Sequence, residues 1–244
     1  MFRWIWPSAL AVALLAGCES DKVLVLDSTP TGSTARRVVS RGGTSSSSGS
    51  SGVLTEHSRG DWARVAPIAD RLDPMGKVTR ITVHHSGEFN DMDSETEVIA
   101  HLRAVQSSQC RSKAAGGLGA GDLAYHFIID RNGDTWEGRS LSYQGAHAGN
   151  STANRGNIGI CVLGNFNVQY PNERQKQSLK ELLSRLTERY GLSSSDIYTH
   201  REIRAYYGLA GTECPGTHLQ SVVDSTRRGS MGRGSAALAR DSRR

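Results

Sequence analysis

From Asp27 to Gly60 the chain offers almost nothing to bury: Ser, Gly, Thr and Arg dominate, with TSSSSGSSG at 44–52. Such a segment cannot offset its conformational entropy with apolar burial, so residues 18–60 read as a flexible linker. His57, inside it, is expected to be solvated and idle. Any core must come from residues 61–224. The formal net charge of +5 does not belong to that core. Residues 61–224 hold 17 bases and 19 acids, whereas the last twenty residues hold six Arg and one Asp. A slightly acidic domain with no basic aromatic face excludes nucleic acid as its partner. Residues 225–244 read as a basic, disordered tail.

The opening eighteen residues, MFRWIWPSALAVALLAGC, carry one early Arg3, an apolar run from Ala9 to Ala16 and then small residues. That pattern reads as a secretory signal over 1–17, too short to span a bilayer. Leu15-Ala16-Gly17-Cys18 resembles the lipobox of bacterial lipoproteins. The resemblance implies a diacylglyceryl group on the Cys18 thiol, a membrane anchor and a place in the bacterial cell envelope. Glu19 after the cysteine resembles the pattern of outer-membrane lipoproteins.

Within 61–224 the local signals alternate between strand and helix. Val78–His85 and Leu123–Asp130 are β-branched and alternating, and Asn132-Gly133 turns the second run into Thr135–Glu137. Asn157–Gly164 reads as a further strand and Asp196–His200 as another. Ser94 with Glu97 forms a capping box ahead of Val98, Leu102 and Val105. Asn172 with Gln175 caps a helix carrying Leu179, Leu182, Leu183 and Leu186, stopped by Gly191. Gly216–Ser225 reads as a short last helix. The expected fold is α/β (α+β): one domain with a central mixed β-sheet flanked by helices.

Four histidines, His84, His85, His147 and His200, lie at or near strand ends, and Cys214 sits in a Thr-Glu-Cys-Pro-Gly turn. Imidazole and thiolate are the usual zinc ligands, and a catalytic site uses three with one position open. His84 and His85 point to opposite faces of their strand, so only one enters a given site. On chemistry alone, a zinc site and a set of structural or exposed histidines both remain open. Cys214 also has the alternative of pairing with Cys110 or Cys161 in an oxidising compartment.

ITVHHSG (81–87), DLAYHFIIDRNGDTWEGR (122–139), GAHAGN (145–150), NIGICVLGNF (157–166) and THREI with TECPG (199–216) together resemble the peptidoglycan recognition protein and type 2 N-acetylmuramoyl-L-alanine amidase family. The resemblance covers about 75–224. It implies Zn2+ held by His84, His200 and Cys214 at the bottom of a cleft that takes peptidoglycan, glycan strand plus stem peptide. It implies Tyr125 beside the water, Thr212 near the substrate carbonyl, and His147 lining the cleft, with His147 or Tyr125 as proton donor to the leaving amine. The implied reaction is zinc-dependent hydrolysis of the amide between N-acetylmuramic acid and L-alanine; the alternative is a non-catalytic peptidoglycan-binding lipoprotein of the same fold. His85, His101 and His126 are expected to be structural. Two departures stand out. The segment between His200 and Cys214 is longer than is typical, and AAGGLGAG before Asp122 lacks a tryptophan that relatives place there.

Overall fold

In the computed structural model the backbone of residues 54–241 and the side chains of residues 54–229 are described. The expected signal over 1–17, the lipidation at Cys18 and the linker up to residue 53 lie outside the described residues. The elements in chain order are α1 (Arg59–Trp62), β1 (Arg80–His85), α2 (Glu95–Cys110), β2 (Phe127–Ile129), β3 (Thr135–Glu137), α3 (Ser151–Asn154), β4 (Asn157–Val162), α4 (Glu173–Tyr190), β5 (Ile197–Thr199), α5 (His200–Tyr206) and α6 (Thr217–Asp241).

Both expected capping boxes start their helices. Glu97 N donates to Ser94 Oγ at 3.4 Å while Ser94 N donates to Glu97 Oε2 at 3.3 Å. Gln175 N donates to Asn172 Oδ1 at 2.9 Å, and Asn172 N returns to Gln175 Oε1 at 3.3 Å. Gly191, at φ 63°, ends α4 in the left-handed conformation that glycine adopts without a Cβ clash. β2 is shorter than the expected 123–130. The carbonyls of Ala124, Tyr125 and His126 accept instead from Ala146, Arg139 and Gly138, in the segment that follows β3.

The five strands form one mixed sheet in the order β3-β2-β4-β1-β5, with β2 and β3 antiparallel and the other pairs parallel. Strand alternation sorts the residues of β1 and β4 onto two faces. Ile81, Val83, Ile158, Ile160 and Val162 face the larger core, where Leu179, Leu182, Leu183 and Leu186 of α4 and Leu219 and Val223 of α6 pack. Each fully buried aliphatic side chain there contributes roughly 1.5–3 kcal/mol of transfer free energy. Thr82, His84, Asn157, Gly159 and Cys161 alternate with these and take the opposite face. α2 packs on that face through Val98 and Leu102. The sheet thus has one face that carries the larger aliphatic core and an opposite face, apolar where α2 packs, that presents His84. Among the described residues no helix is long and apolar enough to cross a membrane.

Two boundaries read from the sequence are corrected. The segment 54–60 is docked on the domain, not part of a free linker. His57 N donates to Thr135 O at 3.0 Å, Glu137 N donates to His57 O at 2.8 Å, and the His57 ring stacks on Trp136 at 3.8 Å. β3 is the edge of the sheet, and this segment satisfies backbone groups that an open edge would leave unpaired. At the other end, α6 runs from Thr217 through Asp241 instead of stopping near Ser225. Arg227, inside the expected tail, donates to Glu202 through both terminal nitrogens, at 2.9 and 2.8 Å, and to Ile197 O.

Candidate metal centre

His84, His200 and Cys214 converge from three separate elements. β1 delivers His84 on the α2 face of the sheet, in register with Cys161 of β4. β5 ends at Thr199, whose amide donates to Glu202 Oε2 at 2.8 Å, starting α5 and placing His200 in its first turn. In the motif THRE the glutamate is therefore a helix cap that sets where the histidine stands. Cys214 returns after the long segment 203–211, and the structure shows how. Leu209 packs against Ala148, Ala153 and Ile203, and Leu209 N donates to Arg204 O. Arg201 then ties the turn back, its amide donating to Cys214 O at 3.0 Å and its Nη2 to Glu213 O at 2.6 Å. The extra residues leave the cysteine in place.

The ligand atoms of His84, His200 and Cys214 all lie within 4.8 Å of one another. His84 Nδ1 is 3.7 Å from Cys214 Sγ. Zinc–ligand bond lengths put the edges of a tetrahedral site at about 3.3–3.6 Å, so this donor set closes on an ion with small movements. His200 Nε2 is buried without a hydrogen-bond partner. A buried polar atom left unsatisfied costs about 1–3 kcal/mol. Burial drives the His84 and His147 imidazoles well below their ordinary range and His200 down to about 4. Burial pushes the Cys214 thiol up to about 12. Two neutral imidazoles and a cysteine sulfur that binds as thiolate, converging on one site, fit zinc. The disulfide alternative is not realised: Cys110, Cys161 and Cys214 are all free.

Tyr125 stands beside the cluster, its ring 5.1 Å from that of His84. Burial, and then the nearby Cys161 and Cys214, raise its phenol well above the ordinary value, so it keeps its proton and can donate. It also lines a cavity of 410 Å³ with Ser86, Leu102, Val105, Cys161 and Leu163, large enough for a side chain or sugar. Thr212 Oγ1 accepts from Cys214 N at 3.2 Å, which fixes it on the Cys214 turn and leaves its own O–H available. His85 takes the other face, as expected: its Nδ1 accepts from Phe166 N at 3.3 Å, while its amide donates to Cys214 Sγ at 3.4 Å. His126 is structural, held between Gly159 N and Tyr143 O and pushed by burial down to about 4.

His147 is not where the resemblance puts it. It stands behind His84, 6% exposed, with its Nδ1 2.9 Å from His84 Nε2 and its Nε2 3.2 Å from Asn157 O. Both ring nitrogens are engaged inside the protein, and the ring is buried behind His84 instead of facing open solvent. Asn157 and Asn154, which hold this ring and its loop, are not among the expected site residues. Their side chains act ten or fewer residues from His147, but the spacing alone does not distinguish them from other buried asparagines.

Residues 74–217 match the family model described as N-acetylmuramoyl-L-alanine amidase. The chain is 34% identical over 142 residues to peptidoglycan-recognition protein SC2 of Drosophila simulans, covering 58% of this chain and 70% of that one. It is 35% identical over 167 residues to peptidoglycan-recognition protein SD of Drosophila melanogaster, covering 68% and 82%. Among solved structures, it is similar to the complex of tracheal cytotoxin with the ectodomains of peptidoglycan recognition proteins LCa and LCx. That match has a TM-score of 0.54 at 28% identity, covering 66% of this chain and 89% of that chain.

Proposed function

The chain belongs to the N-acetylmuramoyl-L-alanine amidase family, which includes peptidoglycan-recognition proteins, and from that premise we propose that it is a zinc-dependent amidase of peptidoglycan. The bond cut is the amide between the lactyl group of N-acetylmuramic acid and L-alanine. The observation that carries this reading is the convergence of His84, His200 and Cys214, whose ligand atoms all lie within 4.8 Å of one another.

Zinc held by three protein ligands with one open position supplies Lewis acidity that activates water near neutral pH. The chain's own groups do the rest. Tyr125, protonated through neutral pH, offers a phenol O–H where negative charge develops on the amide carbonyl oxygen. Thr212 offers a second hydroxyl from the Cys214 turn. Tyr125, which stands closer to the cleft than the buried His147, is the proposed proton source for the departing amine. The cavity beside Tyr125 receives the part of the substrate next to the scissile bond.

Incubating the purified chain with peptidoglycan, with and without chelator and beside Cys214→Ser, tests the reading. Release of stem peptides that stops in both controls supports the amidase; binding without release from the zinc-loaded chain overturns it. That second outcome supports a non-catalytic binder, a reading favoured by the names of its relatives, several of which are recognition proteins.

We also propose that the domain works at the bacterial envelope, tethered by lipid on Cys18. Labelled fatty acid should enter the wild-type chain in a bacterial host and not the Cys18→Ala variant. Equal labelling of both overturns the anchor.

A further inference from the structure

The mechanism above gives His147 no role, yet its surroundings are built around its ring. A Cβ added at Gly145 or at Gly159 would come within 2.4 Å of His147 Cδ2, so two glycines form the slot that holds the imidazole. Asn154 Oδ1 accepts from His147 N at 3.0 Å and from Ala148 N at 2.9 Å, fixing the backbone that carries it. Asn157, whose carbonyl meets the ring, is itself tied by Thr82 Oγ1 at 2.9 Å and by its own Nδ2 to Ala153 O at 2.8 Å.

The hydrogen-bond roles follow from one carbonyl. Asn157 O can only accept, so His147 Nε2 carries the proton of that ring. A neutral imidazole has one N–H, which leaves a lone pair on His147 Nδ1. That lone pair faces His84 Nε2 at 2.9 Å and must accept from it. The single proton of His84 therefore sits on Nε2, and its Nδ1 is bare. Nδ1 is the atom 3.7 Å from Cys214 Sγ, on the side where the ligand atoms converge.

We propose that His147 is a positioning residue that holds His84 in the Nε2–H tautomer and so presents the Nδ1 lone pair to the metal. The proposal rests on the metal reading above. Groups that orient a metal-binding histidine through its second nitrogen change metal affinity by roughly 10–100-fold. Here the orienting group is another imidazole, itself oriented by a backbone carbonyl, so the arrangement is rigid from the β4 backbone to the ligand atom.

Two variants and one spectrum test it in the full chain, with zinc alone as the probe. In His147→Leu nothing accepts from His84 Nε2, whereas in His147→Asn the side-chain oxygen takes the place of Nδ1 as acceptor. Chelator competition should show zinc binding weakened roughly 10–100-fold in His147→Leu and restored most of the way in His147→Asn. Long-range 15N–1H spectra of the zinc-free wild-type chain should show His84 protonated at Nε2, and this readout survives even if a variant does not fold. Equal zinc affinity in all three chains, or His84 protonated at Nδ1 in the wild type, overturns the proposal while leaving the metal reading intact. A wild-type chain that takes up no zinc overturns both.

Discussion

Arg59 grips Asp122 with two nitrogens: Nε lies 3.1 Å from Oδ2 and Nη2 lies 3.1 Å from Oδ1. The Asp122 side chain is completely buried, whereas that of Arg59 is 20% exposed. The cation comes from the segment that looks like linker, and the anion from the motif that leads into Tyr125. Gln106 Nε2, at 2.7 Å, is the other side chain on that carboxylate.

The pair sets a stability prediction. Arg59→Met should destabilise the chain by about 3 kcal/mol, the low end for breaking a buried pair, because Arg59 keeps some contact with water. A chain cut to begin at residue 61, where composition alone draws the boundary, should lose at least as much, since Trp62 also loses the turn that holds it. Urea unfolding of the full chain, the Arg59→Met variant and the two truncations beginning at 54 and 61 checks this. Equal midpoints for the two truncations would refute it.

The slot around His147 makes a second prediction. In Gly159→Ala the new methyl meets the imidazole at Cδ2, Nε2 and Cγ, all at 2.4–2.7 Å, and the ring must leave. The cost of overpacking is about 1–3 kcal/mol, and zinc uptake should fall with it. Gly191→Ala, which meets no neighbour within 4 Å, should cost stability through its left-handed backbone alone and leave zinc uptake unchanged. Parallel thermal melts and zinc titrations of the two variants separate a slot effect from general weakening.

What could be read from the chain divides along the distance of the interactions. The caps Ser94–Glu97 and Asn172–Gln175 and the stop at Gly191 are local, and the sequence states them within four residues. The mixed sheet follows from strand and helix signals in alternation. The ligand set is legible only as a resemblance, because His84, His200 and Cys214 are spread over 130 residues and only the β1–β5 pairing and the turn tied back by Arg201 bring them together. The surroundings of His57 and His147 are hidden from the sequence for the same physical reason. The partner of His57 is Trp136, and those of His147 are His84 and a backbone carbonyl. No spacing in a single sequence reports a ring stacked on an edge strand or a hydrogen bond to a main-chain oxygen.

Glu202 yields a prediction in pH. Burial pushes its carboxyl up, but hydrogen bonds from Arg227, the Thr199 amide and Gln220 outweigh it and hold the pKa below the ordinary value. A carboxylate depressed in the folded state adds stability that is complete above its unfolded pKa and disappears as pH falls through the folded one. Arg227→Ala should therefore cost about 1 kcal/mol at neutral pH, discounted for the partial exposure of both groups. The gap between variant and wild type should narrow below about pH 4.5. Unfolding free energies measured from pH 3 to pH 7 test the slope, and a gap constant with pH would rule out Glu202 as its source.

The metal itself should announce its ligands by the protons it displaces. Without zinc, His84 and His200 are neutral at pH 7, since burial lowers both, and they have no proton to give up from the liganding nitrogen. Burial holds the Cys214 thiol protonated, at about 12. Binding as thiolate must then expel its proton, so zinc uptake near neutral pH should release about one proton per ion. Affinity should rise about tenfold per pH unit over the range in which the thiol is protonated and the histidines are not. Calorimetric titrations in buffers of different ionisation enthalpy count the protons directly. Cys214→Ser should lose both the release and most of the affinity. Zinc at a hundred times its dissociation constant should stabilise the wild-type chain by about 2.7 kcal/mol in a thermal melt. Release of no proton on zinc binding would mean that the ion is held without Cys214, and that the site is not the three-ligand cluster described above.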